Sequence, residues 1–162
     1  MASTYPRARI ETDQGPIVVE LWNDVAPRHV ENFLKLARQG FYDGTGFHRI
    51  LPGFVIQGGC PKGDGTGGPG WTVKAEFNDR LHDKGVLSMA RSAHPDSAGS
   101  QFFVCLGRDQ CKHLDRQYTA FGKVIEGIDT VDKIAAVKID RASGRPVGAA
   151  PRMTKVTAVE TA

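Results

Sequence analysis

Residues 47–59 read FHRILPGFVIQGG, two short apolar runs joined by Pro52-Gly53. A Pro-Gly pair punctuates strands with a turn, so the stretch predicts a hairpin. Side chains alternate faces along a strand, which sets Val55 with Gln57 on one face and Phe54 with Ile56 on the other. Parity does not carry through the turn, and the direction of Arg49 stays open. A guanidinium among Phe47, Phe54 and Val55 is the unusual feature, because arginine is always charged and is rarely buried without a partner. The plain alternative is an edge hairpin whose Arg49 simply reaches solvent.

Outward from this stretch the chain reads as short strands with two helices. Arg7–Thr12 and Gly15–Leu21 flank a turn at Asp13-Gln14-Gly15, and Ile17, Val18, Val19 and Leu21 favour strand. Pro27 suits a first helical position. Val30, Phe33, Leu34 and Ala37 then fall at i, i+3, i+4 and i+7, and Gly40 offers a stop. His29, beside that stripe, is expected at the surface. Residues 86–90, 102–106, 121–125 and Met153–Val159 read as further strands, and 128–137 as a second helix striped by Ile128, Val131, Ile134 and Ala135. Alternation puts Phe102 and Val104 on one face and Phe103 and Cys105 on the other, so one phenylalanine can enter a core while its neighbour lines a pocket. Residues 91–99 form a polar loop with His94-Pro95-Asp96 at its tip, and 140–151 a Gly/Pro/Arg-rich connection.

Residues 58–70 hold seven glycines and two prolines, and Gly63, Gly65 and Gly68 match the spacing G-x-G-x-x-G. A dinucleotide site needs a helix to begin there, with its amides facing the phosphates. Pro69, Gly70 and Trp71 follow instead, which argues for a loop around the outside of a site, with Gly65 permitting close backbone approach.

At 162 residues the chain fits one domain, residues 1–162, with 40% hydrophobic and 24% charged residues. A net charge of +3 without a lysine-arginine block points away from a dedicated nucleic-acid face. Residues 1–12 lack a hydrophobic signal core, and no apolar run approaches the ~20 residues of a membrane helix. Cys60, Cys105 and Cys111 show no paired metal spacing and are expected as reduced, non-catalytic thiols. A cytoplasmic location is expected. The five histidines have no local metal-ligand pairing, and no G-x-S-x-G elbow, H-E-x-x-H helix or P-loop occurs. The number of strands against two helices indicates a mainly β domain, sandwich or barrel.

The string FHRILPGFVIQGG closely resembles the signature of the cyclophilins, the peptidyl-prolyl cis-trans isomerases: Phe-His-Arg-hydrophobic-X-Pro-Gly-Phe-X-X-Gln-Gly-Gly, with every fixed position present. The resemblance extends from about residue 8 to 159. It implies an eight-stranded antiparallel closed β-barrel capped at each end by a helix. It also implies a monomer without metal or cofactor, whose partners are proline-containing peptides and unfolded protein clients rather than nucleic acid or membrane.

Isomerising an X-Pro bond breaks no covalent bond. The barrier is the partial double bond of the amide, about 18–20 kcal/mol. A donor aimed at the prolyl nitrogen gains strength as twisting localises the lone pair there, and Arg49 is the natural candidate. The resemblance implies a catalytic group of Arg49, Gln57 and Phe54, with Gln57 holding the guanidinium. It places the proline ring among Phe54, Val55, Phe103 and Leu114. The peptide preceding the proline would lie on Gln101 and the backbone of Ala90, Arg91 and Ser92, with Gly65, His113 and Tyr118 at the rim. His48 is expected as a satisfied interior histidine. The chain departs from the familiar eukaryotic pattern at several places. Val55 stands where methionine is usual and Arg91 where asparagine is. Gln117-Tyr118 replaces Lys-His, and His113 replaces the tryptophan of cyclosporin-sensitive members, which implies weak cyclosporin binding.

Overall fold

The computed structural model describes residues 5–159. Strands β1 (Arg7–Thr12) and β2 (Gly15–Leu21) form the expected hairpin, followed by helix α1 (Pro27–Arg38). The central stretch supplies β3 (Arg49–Leu51) and β4 (Val55–Gly58). Then come β5 (Val86–Met89), β6 (Phe102–Cys105), a four-residue helix α2 (Arg108–Cys111) and a 3-10 turn (Lys112–Leu114). The chain continues through β7 (Ala120–Glu126), α3 (Ile128–Ala135), β8 (Ile139–Asp140), β9 (Arg145–Pro146) and β10 (Met153–Val159). No helix among the described residues is long and apolar enough to cross a membrane.

Eight strands make one antiparallel sheet in the order β10-β1-β2-β7-β5-β6-β4-β3. The fold is thus mainly β, but its closure differs from the expected barrel. Edge strands β3 and β10 do not pair with each other. A single bridge, Gly46 with Arg152, spans the gap, helped by Gly44 N–H donating to Met153 O and Phe47 N–H to Pro151 O. The segment before β3 thus ties the edges together without a continuous ladder, so the sheet is curled rather than fully closed. Two further corrections concern helices and hairpins. The 108–111 turn is a third helix, too short to show periodicity. Part of the irregular 140–151 connection forms the β8–β9 hairpin, with Ile139 opposite Pro146.

The inside of the curl is the main core. Ile10, Ile17, Val19 and Leu21 enter it from the first hairpin and Ile50, Ile56, Leu87 and Val104 from the central strands. Helix α1 covers one end: its Phe33 ring lies 5.1 Å from Tyr42, 5.5 Å from Phe102 and 5.6 Å from Phe121. Truncating so enclosed a ring costs about 3–5 kcal/mol. The helix begins at Pro27 without a side-chain cap from Ala26. Instead the Glu76 carboxylate accepts from the Arg28 and His29 amides at 3.2 and 2.8 Å, satisfying two free N–H groups with charge of the favourable sign.

Glu76 also explains why His29 is buried and not at the surface. Its Nδ1 lies 2.7 Å from Glu76 Oε1, and one turn on, Asn32 Nδ2 donates to Gly99 O while Asn32 Oδ1 accepts from Trp71 Nε1. This flank of α1 is polar because it fastens loops, so it carries no apolar signal.

Candidate functional site

Strand register settles the direction of Arg49. Arg49 stands opposite Gln57, Gln57 opposite Phe103, and Phe103 opposite Ser88. Cross-strand partners share a face, so these four side chains form one row across β3, β4, β6 and β5. The next row on that face is Leu51, Val55 and Cys105. Ile50, Ile56, Val104 and Leu87 point the other way, into the main core.

The outer face is covered by a second apolar cluster. Val55, Phe103, Cys105, Cys111 and Leu114 are its buried members near β4, and Phe54, Ala90 and Tyr118 pack against it partly exposed. Phe102 and Phe103 therefore divide as alternation predicts, one in each cluster. The walls come from the segment after β6: Leu114 is buried, the Tyr118 ring meets Phe103 edge-on at 5.7 Å, and His113 is exposed and stacked on Phe54 at 5.8 Å. Phe54 precedes β4 in the turn, which frees it from the strand's alternation and lets it join Val55 at the same cluster.

The Arg49 side chain is exposed and makes no hydrogen bond or ion pair with the described residues. The Gln57 amide does not hold it. Gln57 Nε2 donates to Gln101 Oε1 at 3.1 Å, and Gln101 Nε2 donates to Gly65 O and Gly67 O at 2.9 and 3.0 Å. The chain Gln57–Gln101–loop thus anchors residues 65–67 beside the row. Gly65 has φ +89°, a backbone conformation that calls for glycine, and a Cβ there would lie 3.3 Å from His48 Nε2. No helix starts in this loop, which removes the nucleotide reading of its glycines.

These loop residues, with Gln57, Lys62, Trp71, Ala90 and Ser92, line a cavity of about 670 Å³. Ala90 N–H donates to Gln101 O and Ser92 N–H to Ser97 Oγ. Arg91 does more than occupy the segment. Its Nε and Nη2 donate to Gln117 O at 3.1 and 2.9 Å, and its Nη1 to Ser92 O and Ala93 O at 3.0 and 3.3 Å. The guanidinium also lies 4.7 Å over the Tyr118 ring. One side chain therefore ties the 91–93 loop to the wall behind Phe103.

A second network was not visible in the sequence. His82 is fully buried, with Nδ1 3.1 Å from Asp115 Oδ1 and Nε2 2.9 Å from Ser88 Oγ. Burial lowers the His82 pKa against the opposing pull of Asp115, which favours the neutral ring. Asp115, gripped by Arg108 at 2.7 Å, is held down at about 2, so it is a carboxylate that accepts from Nδ1–H. Nε2 then accepts from the Ser88 hydroxyl. The imidazole stacks on Phe103 with centroids 6.3 Å apart, giving that ring a stiff polar backing. The available signal was Ser88, a lone hydroxyl in the otherwise apolar run Val-Leu-Ser-Met.

His48 is interior, but its Nδ1 has no hydrogen-bond partner among the described residues. Burial first, then Arg145 and Arg49, push its pKa down. The three cysteines are unpaired, and no group of three or more His, Cys, Asp or Glu among the described residues is placed to hold a metal.

Comparison with known proteins bears on the family and the fold. Residues 7–158 match the family model for cyclophilin type peptidyl-prolyl cis-trans isomerases. A peptidyl-prolyl cis-trans isomerase of Synechococcus elongatus is 45% identical over 141 residues, covering 82% of this chain and 95% of its own. Peptidyl-prolyl cis-trans isomerase B of Bacillus subtilis is 51% identical over 119 residues, 72% of this chain and 81% of its own. The crystal structure of a cyclophilin type isomerase of Cryptosporidium parvum superposes with a TM-score of 0.90 at 32% identity, covering 98% of this chain and 99% of that one. A second structure of that protein, in the presence of the dipeptide Ala-Pro, gives a TM-score of 0.88.

Proposed function

This chain belongs to the cyclophilin-type peptidyl-prolyl cis-trans isomerase family, and we propose that it accelerates X-Pro isomerisation by binding the twisted amide better than either planar form. A 10⁵-fold acceleration needs roughly 7 kcal/mol of such preference. No covalent intermediate, cofactor or metal enters the scheme.

The single observation that carries this reading is a guanidinium, Arg49, that makes no hydrogen bond or ion pair with the described residues and stands in one row with Gln57 and Phe103 at the edge of an apolar cluster. The proline ring sits among Phe54, Val55, Phe103 and Leu114. This leaves the prolyl nitrogen facing Arg49. As the amide twists, its lone pair becomes a better acceptor, and the charged donor gains strength where it lowers the barrier. The preceding residues extend along Ala90, Arg91 and Ser92 with Gln101 beside them, and the acyl group rotates over that side. Gln57 acts through Gln101, fixing the floor of the peptide channel. The Ala-Pro dipeptide used with the Cryptosporidium parvum relative matches the smallest ligand this pocket would take.

The substrates are X-Pro bonds in extended or partly unfolded segments, so folding assistance is the role. Three unpaired thiols fit a reducing compartment such as the cytosol. Chemical exchange on an X-Ala-Pro-Phe peptide tests the reading, with binding measured on the same samples. Accelerated exchange supports it. Peptide binding without acceleration would make the domain a proline-peptide binding module instead.

A further inference from the structure

Beyond the proline pocket, on the far side of Phe54, lies a second cavity of about 730 Å³. Leu51, Pro52, Phe54, Val137 and Ile139 give it an apolar floor. The β8–β9 hairpin builds one wall, and it is fixed there: Ile50 N–H donates to Gly144 O at 2.6 Å, and a Cβ on Gly144 would lie 2.9 Å from Leu51. Lys138 and Arg141 stand on the rim, both exposed. Their side chains make no hydrogen bond or ion pair with the described residues. No carboxylate among the described residues lines the cavity. Two carboxylates adjoin the lining in sequence: Asp140 is turned into its own loop, accepting from Ala142 N–H and Ser143 Oγ, and Asp109, next to Gln110, is exposed and outside the lining.

We infer that this cavity receives the substrate segment following the proline and selects for an acidic residue there. The inference rests on the isomerase reading, which lays the preceding residues on the Ala90–Gln101 side. A chain entering there and leaving the pocket in the opposite direction crosses Phe54 and the stacked His113 ring. The residue after proline lies on those rings. An extended chain advances about 3.3 Å per residue, and the second residue after proline is the one assigned to the cavity beyond Phe54. Its aliphatic stem meets Leu51 and Ile139, and a carboxylate at its end meets Lys138 and Arg141, which have no partner among the described residues.

Exposed pairs of this kind are worth a fraction of a kcal/mol to about 1 each. Two of them correspond to roughly two- to thirtyfold in kcat/KM between opposite charges. The test uses three peptides, Ala-Ala-Pro-Phe-Glu, Ala-Ala-Pro-Phe-Gln and Ala-Ala-Pro-Phe-Lys, as C-terminal amides, followed by protease-free NMR exchange. At low salt the expected order is Glu above Gln above Lys. The spread should shrink at high salt as the Debye length contracts, and the order should reverse in the Lys138→Glu/Arg141→Glu variant. Equal rates for all three peptides, or an acidic preference that survives the charge reversal, overturns this inference while leaving the isomerase reading in place. Absence of acceleration on every peptide removes both.

Discussion

Replacing Arg91 by alanine is expected to weaken peptide binding through a side chain to which the proposed mechanism gives no role at the reacting amide. Two of its donors share the Gln117 carbonyl and one is split between Ser92 O and Ala93 O, so the four contacts act as about two bonds. In a half-exposed site each is worth about 1 kcal/mol, and the cation over Tyr118 adds about 0.5–1 kcal/mol. About 2.5–3 kcal/mol therefore orders the 91–93 loop against the pocket wall. If half of that ordering must be supplied by the peptide on binding, affinity falls about tenfold. Single-turnover and steady-state exchange on an Ala-Pro peptide should show KM up about tenfold with kcat within about threefold. Arg91→Lys should recover only part of the loss, because an ammonium does not reproduce the planar fork on Gln117 O. A fall in kcat at unchanged KM, or full rescue by lysine, would refute the bridging role.

Three other outcomes are expected. Ser88→Ala strands the buried His82 Nε2 without its donor, at about 1–3 kcal/mol, which calorimetry should register as a fall of a few degrees to about 10 °C in Tm; an unchanged Tm would remove Ser88 from the network. His29, His48 and His82 all have pKa values lowered by burial from an ordinary 6.5, so the unfolded chain takes up protons first and stability present above that pH is lost as pH falls below it. Asp115, lowered from 3.8 to about 2 chiefly by Arg108, adds a second loss as pH falls from 3.8 towards 2. Urea midpoints flat between pH 7.5 and 5.5 would contradict the histidine part. Finally, His113→Trp enlarges the apolar rim stacked on Phe54 and should tighten cyclosporin binding by about tenfold in a fluorescence titration; unchanged affinity would dismiss His113 as the determinant.

How much of this was legible depends on the kind of signal each element carries. The α1 stripe Val30, Phe33, Leu34 and Ala37 is readable because burial repeats at the helical period, and all four are buried. Phe102 and Phe103 divide between two clusters as strand alternation requires. Arg49 was not readable in the same way, since its face depends on register across the Pro52-Gly53 turn. That register became visible only as the pairing of Arg49 with Gln57. Helix α2, at four residues, is shorter than any periodicity test. The His82–Asp115 contact joins residues 33 apart in sequence, and the Arg91 bonds join residue 91 to residue 117; neither leaves a local pattern. The incomplete ladder between β3 and β10 likewise follows from how the 44–47 segment meets 151–153.

The central claim is that Arg49 stabilises the twisted amide more than the bound substrate. The direct measurement is kcat and peptide Kd for wild type, Arg49→Ala and Arg49→Lys on one Ala-Pro peptide. Loss of one charge-assisted donor to the transition state corresponds to about 10²–10³ in kcat. The expected result is a fall of that size for Arg49→Ala with Kd changed less than about threefold, and partial recovery with lysine. Losses of equal size in kcat/KM and in affinity, at unchanged kcat, would show that Arg49 only binds the peptide and would contradict the account.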